Sequence, residues 1–228
     1  HEHHHGSKNP HLFASPFEAV RIVENIARGL EAADPANAAA YRANAGVYTE
    51  KLRKLCGEFT AAARKYRFSE RKIVTQHGVF DYLAHHLKLP VAATISGEPE
   101  AGTTASEMAS LVKKLKGAGI SVIYTEPQYP SRVARTIGRE CGIPLAELDP
   151  VANGPADAPM DYYEKTMRKN LEVLGKTLNT QFECPDRGGF DSGGCFRGDS
   201  ARHVHCDCGP ERRRKDHAHK GAARRYPL

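Results

Sequence analysis

No stretch of this chain is apolar for long enough to cross a membrane, which takes about 20 residues, and no basic-then-apolar segment opens it. There is no Gly-x-Ser-x-Gly elbow and no cysteine–histidine pair with local support for nucleophilic catalysis. The loop Gly97-Glu-Pro-Glu-Ala-Gly102 lacks the spacing of a phosphate cradle. Residues 179–228 hold no Ile or Met, one Leu and one Val, against seven Gly. They cannot bury enough apolar surface to offset the entropy of ordering, and a disordered tail is expected there.

The formal charge of +6 splits evenly between this tail and the remainder of the 228 residues. A body carrying so modest a charge gives no reason to expect a nucleic-acid partner. The one basic block is Arg212-Arg-Arg-Lys215. Tail residues Cys195, His203, His205, Cys206, Cys208, His217 and His219 fit no structural zinc spacing and could bind metal only opportunistically. Cys56 and Cys141 read as small apolar residues, and a bridge between them is not decidable from sequence. The opening His1-Glu-His-His-His5-Gly-Ser reads as the end of a His/acid-rich loop rather than a tag scar, given Glu2 and the immediate entry into Asn9-Pro-His11.

Helical and strand signals then alternate. Ser15-Pro16 predicts a capped helix over 17–30, and Asp34-Pro35 opens a second by the same device. In that second helix Tyr41, Ala45, Tyr48, Leu52, Leu55, Phe59, Ala62 and Tyr66 form one apolar stripe over about thirty residues, roughly 45 Å. Beyond Arg71, strands are predicted at 72–76, 90–95, 121–125 and 144–148, and helices at 79–87, 105–116, 131–141 and 161–178. Gly119 and Gly142 are expected to close their helices. Short strands alternating with such helices imply an α/β fold: a four-stranded parallel sheet flanked by helices, plus a long connecting helix and the tail. The organisation expected is 1–14, a loop end and first ligand segment; 15–67, helical connector; 68–178, α/β lobe; 179–228, tail.

Three strand ends deliver metal-capable side chains: His77, Glu126 and Asp149. His11 adds a fourth near the start. Ligands of open α/β sheets bind outside the carboxyl ends of the strands, and imidazoles with a carboxylate suit zinc. Each has a plainer role available. His77 or His11 can cap a helix, Asp149 can form an Asx-turn, and Glu126 can orient an imidazole without touching metal. His85 and His86, near a helix C-terminus, read as surface residues.

Asn9-Pro-His11 with Ser15-Pro16, the helix after Asp34-Pro35, Thr75-Gln-His77…Phe80-Asp-Tyr82, Thr125-Glu-Pro-Gln128 and Leu148-Asp-Pro150 occur in that order. Together they resemble the C-terminal half of the zinc/manganese ABC-transporter solute-binding proteins, the zinc-uptake and adhesin-lipoprotein group. The resemblance covers about residues 9–178. It implies two lobes joined by one rigid helix, with the ion held between them. His11 and His77 match the family's second and third ligands and Asp149 its carboxylate ligand, while Glu126 matches a position beside the site. Histidine at 77 resembles the zinc-preferring members, so zinc is expected ahead of manganese. The family's N-terminal lobe, signal segment and first histidine ligand are expected to lie outside this sequence, and residues 179–228 are expected to be foreign to the family.

On that resemblance the chain is part of a periplasmic or otherwise extracytoplasmic binding protein, membrane-anchored if a lipoprotein, that passes a divalent ion to an ABC transporter permease and catalyses nothing. Coordination needs neutral imidazoles, so capture should weaken as pH falls through the histidine range near about 6.5. Two rival classes stay open. A metal-inserting chelatase-like enzyme needs a broad apolar cavity for a macrocycle, which nothing in the sequence marks. A nucleic-acid module using Arg212–Lys215 and the Cys/His tail would bind with steep salt dependence.

Overall fold

The computed structural model describes residues 9–95 and 104–179. The His-rich opening, the Gly97–Gly102 loop, the Cys/His residues of the tail and Arg212–Lys215 lie outside the described residues.

Helix α1 (Pro16–Ala33) and helix α2 (Ala38–Lys65) lead into the α/β part. There follow β1 (Lys72–Thr75), α3 (Asp81–His86), β2 (Val91–Thr94), α4 (Ala105–Leu115), β3 (Ile120–Thr125), α5 (Arg132–Cys141), β4 (Leu145–Glu147) and α6 (Tyr162–Leu178). All pairings are parallel, in the order β2-β1-β3-β4. The expected fold class and all four strands are therefore present.

Strand alternation divides the core into two. Ile73, Val122 and Tyr124 face one apolar cluster with Leu55 and Phe59 of α2, Leu83 of α3 and Met167 and Leu174 of α6. Val74 and Ile123 face the other, with Leu115 of α4 and Ala134 and Ile137 of α5. A sheet covered on both faces explains why its strands are short apolar runs. Gly138 lets α5 lie close to β4, because a Cβ there would collide with Leu145 Cδ1 and sit 2.8 Å from the Ile143 carbonyl oxygen.

The long helix forms, 28 residues of it, but its stripe is unevenly used. Leu52, Leu55 and Phe59 are fully buried, each contributing roughly 1.5–3 kcal/mol of burial. Thr49 joins them, its hydroxyl donating to the Gly46 carbonyl at 3.1 Å. Toward the N-terminus Tyr41, Ala45 and Tyr48 are only half-buried. There α1 and α2 are joined by the ion pair Arg42–Glu31 at 2.5 Å; a second pair, Arg53–Glu24 at 2.7 Å, lies further along, between Leu52 and Leu55.

Several local expectations need correction. Ser15 occupies the cap position before Pro16, yet its buried hydroxyl makes no hydrogen bond; α1 opens on the backbone bond from Ala19 N–H to the Ser15 carbonyl. Asp34-Pro35 starts a 3-10 turn, Pro35–Asn37, and the α-helix begins only at Ala38. The Asp34 carboxylate accepts from Asn37 Nδ2 and the Tyr41 hydroxyl, which holds it below its ordinary pKa. The helix expected over 79–87 is a 3-10 turn, Gly78–Phe80, followed by α3. Gly142 closes α5 in the left-handed region, but α4 stops at Leu115, and Gly119 lies in the turn beyond with Gly117.

His85 is exposed as expected. His86 does more: its Nε2 lies 2.8 Å from Glu18 Oε1 and its ring stacks on Phe17, tying α3 to α1. Cys56 and Cys141 are both free and half-buried; burial pushes the Cys56 thiol up to about 11. Among the described residues no helix is long and apolar enough to cross a membrane.

Candidate metal centre

The strand order reverses direction between β1 and β3, one connection leading to β2 and the other to β4. Crevices of open sheets form at such a switch point. His77 follows β1 and Glu126 follows β3, so these neighbouring strand ends place the two side chains together. His77 Nδ1 lies 3.8 Å from Glu126 Oε1. Both are well covered, at 12% and 3% side-chain exposure. Burial pushes the Glu126 carboxyl up to about 7, and its Oε1 accepts no hydrogen bond. Gln76, between β1 and His77, accepts from Glu126 N–H at 3.3 Å and donates to the Pro130 carbonyl at 3.0 Å, which pins the two strand ends together.

His11 reaches the same place from the segment before α1. Its ring meets that of His77 edge-on, centroids 4.7 Å apart, and Tyr129 flanks His77 on another side at 6.2 Å. Long-range bonds hold the segment down. Tyr82 OH donates to the Asn9 carbonyl and Tyr163 OH to the Phe13 carbonyl, each at 2.9 Å.

Asp149 follows β4 and stands in an Asx-turn, its Oδ1 accepting from Val151 N–H at 2.8 Å and facing Gln128 Nε2 at 3.4 Å. Val151 has φ 61, a costly conformation for a β-branched residue. Buried Asn170 of α6 bonds both backbone polar groups of Asp149. Of the four residues picked from sequence, the structure thus brings His11 against His77 and His77 beside Glu126, and engages the Asp149 carboxylate in its own loop. Among the described residues, no three His, Cys, Asp or Glu side chains are gathered closely enough to hold an ion as they stand.

Sequence reasoning gave no role to Asn9, Gln76, Tyr82, Tyr163 or Asn170. Asn9 carried one usable signal, a carboxamide two residues before a candidate ligand. Gln76 carried another, a carboxamide directly before His77. Tyr82, Tyr163 and Asn170 are joined to the site by the fold.

A doubly wound lobe entered through a long helix is the fold this chain shares with metal-ion solute-binding proteins of known structure. The chain belongs to the family described as zinc-uptake complex component A, periplasmic (ZnuA), which matches residues 1–177. It is 36% identical over 181 residues to the zinc-binding protein AdcA of Streptococcus pyogenes, covering 78% of this chain and 35% of that protein. It is 29% identical over 177 residues to the manganese ABC transporter substrate-binding lipoprotein PsaA of Streptococcus pneumoniae, covering 76% of this chain and 56% of PsaA. Among solved structures it resembles the binding protein FpvC of Pseudomonas aeruginosa in complex with Ni2+, at 33% identity and a TM-score of 0.67, over 75% of this chain and 62% of that one. The chain therefore spans about a third to three-fifths of these relatives' lengths.

Proposed function

We propose that this chain is the ion-gripping C-terminal part of an extracytoplasmic solute-binding protein, which captures zinc as cargo and hands it to an ABC transporter permease. The observation that carries the reading is the meeting of His11 and His77 beside the buried Glu126 carboxylate at the sheet's switch point. Two neutral imidazoles and a carboxylate are a donor set suited to zinc. His11 and His77 are the proposed nitrogen ligands. Asp149 is the proposed carboxylate ligand, released from the Val151 N–H as it turns toward the ion, and Glu126 balances the ion's charge from beside His77. A donor from a further part of the protein would complete the set. The AdcA relative, described as zinc-binding, favours zinc over manganese as the cargo, and the lipoprotein description of PsaA supports an extracytoplasmic site.

Such a protein binds, holds and releases; no bond of the cargo's surroundings is made or broken, and no enzymatic step is proposed. Calorimetric titration with zinc and with manganese is the test. Replacing both His11 and His77 with Ala should abolish tight zinc uptake. An unchanged affinity in that double variant overturns the reading, and a preference for manganese in the parent chain overturns the choice of cargo.

A further inference from the structure

The carboxamide of Asn9 makes four hydrogen bonds, and together they join the two histidine-bearing segments. Its Nδ2 donates to the Gly78 carbonyl at 2.7 Å and to Asp81 Oδ2 at 3.1 Å. Two acceptors at that end fix which way round the amide lies, because only the nitrogen can serve both. The oxygen end then faces His11 and accepts from its backbone N–H at 3.0 Å and from its ring at Nδ1, 2.7 Å away. An amide oxygen has no proton to give, so the proton of this bond belongs to Nδ1. Neutral His11 is therefore held as the Nδ1–H tautomer, with the lone pair on Nε2.

The other end of the same side chain sits directly after His77. Glycine at 78 leaves room for the Asp81 carboxylate that accepts from Asn9: a Cβ there would lie 3.0 Å from Asp81 Oδ2, and in ordinary contact at 3.7 Å with Asn9 Nδ2. The Asn9 carbonyl is itself held by Tyr82 of α3, so the clamp is anchored to the lobe through main chain as well as side chain. One residue thus sets the tautomer of one imidazole and the position of its segment against the loop of the other.

We infer that Asn9 is a positioning residue for ion capture, presenting Nε2 of His11 to the cargo and fixing the spacing of the His11–His77 pair. The inference rests on His11 being a ligand as proposed above. Partners that orient a ligating histidine through its second nitrogen are worth about 10- to 100-fold in metal affinity. Asn9→Ala should weaken zinc binding by an amount in that range. Asn9→Asp keeps an oxygen opposite Nδ1 but loses both donor bonds and faces Asp81 with a like charge. It should preserve the tautomer while weakening binding through the loosened spacing.

The decisive readout is the ring nitrogen spectrum of the whole, isotopically labelled, metal-free chain above the histidine range. The His11 signal is assigned by its disappearance in His11→Gln. The inference expects a protonated Nδ1 and a bare Nε2 in the parent, a shift toward the opposite tautomer in Asn9→Ala, and no such shift in Asn9→Asp. A bare Nδ1 in the parent overturns it outright, and that measurement needs no variant to fold. So does an Asn9→Ala chain that folds and keeps both tautomer and zinc affinity. If His11→Ala instead leaves zinc affinity unaltered, the ligand assignment has failed, whereas the metal-free spectrum still judges the clamp on its own.

Discussion

Asn170 grips the main chain of Asp149 from both sides: its Nδ2 donates to the Asp149 carbonyl at 2.7 Å and its Oδ1 accepts from the Asp149 N–H at 2.9 Å. The amide is 3% exposed, so water cannot replace it. Asn170→Ala leaves two backbone groups without partners and should cost roughly 2–4 kcal/mol. Urea unfolding measures the loss. A cost within about 0.5 kcal/mol of zero, the usual range for surface substitutions, would mean the pairing is incidental.

Glu126 supplies a pH dependence of unusual sign. Its carboxyl is raised to about 7 when folded, against about 4.3 for a glutamate in water. As pH rises from 4.3, the unfolded chain ionises first, so the folded form of the metal-free protein loses stability until pH passes about 7. Below the unfolded value the group costs nothing, and above the folded value its cost is complete. Glu126→Gln should match the parent near about pH 4 and exceed it near about pH 8 by on the order of 3–4 kcal/mol. Denaturation with a chelator present checks this; a difference that does not change with pH would count against it.

The contact between α5 and β4 leaves no room at Gly138. A methyl group there meets Leu145 Cδ1 and the Ile143 carbonyl oxygen, and backbone cannot retreat as a side-chain tip can. Gly138→Ala should destabilise by roughly 1–3 kcal/mol, outweighing the gain of about 0.5–1 kcal/mol that alanine normally brings inside a helix. A variant as stable as the parent would show that α5 can slide.

Tyr163 is separated from Phe13 by 150 positions in sequence, yet its hydroxyl holds that residue's carbonyl. Tyr163→Phe should lower stability by about 1 kcal/mol and speed amide exchange around Leu12–Ala14. Exchange that is unchanged there would show that Tyr82 and Asn9 suffice to hold the segment.

Much of the lobe was legible because its grammar is local. Apolar runs of four to six residues between helix signals mark β1 and β3, and a polar residue before proline marks the strand ends at Glu126 and Asp149. The meeting of His11 with His77 followed from a resemblance and not from periodicity. What stayed hidden depends on which surfaces meet. The stripe on α2 repeats evenly in sequence, but only Leu52 to Phe59 find partners that cover them fully. The hydroxyl of Ser15 promised a cap and is buried without one, because Pro16 and the backbone open the helix unaided. The loop role of Asp149 was one of two readings open from sequence, and the N–H it accepts belongs to a valine that no rule would have put in a left-handed turn.

The two ends of α2 are fastened by different forces. From Thr49 onward it is held by side chains buried from solvent, while nearer its start the guanidinium–carboxylate contact of Arg42 with Glu31 ties it to α1. Electrolyte weakens contacts of the second kind and hardly touches the first. Brine should therefore loosen the helix from its beginning, fraying the first turns while the length beside the sheet keeps its grip.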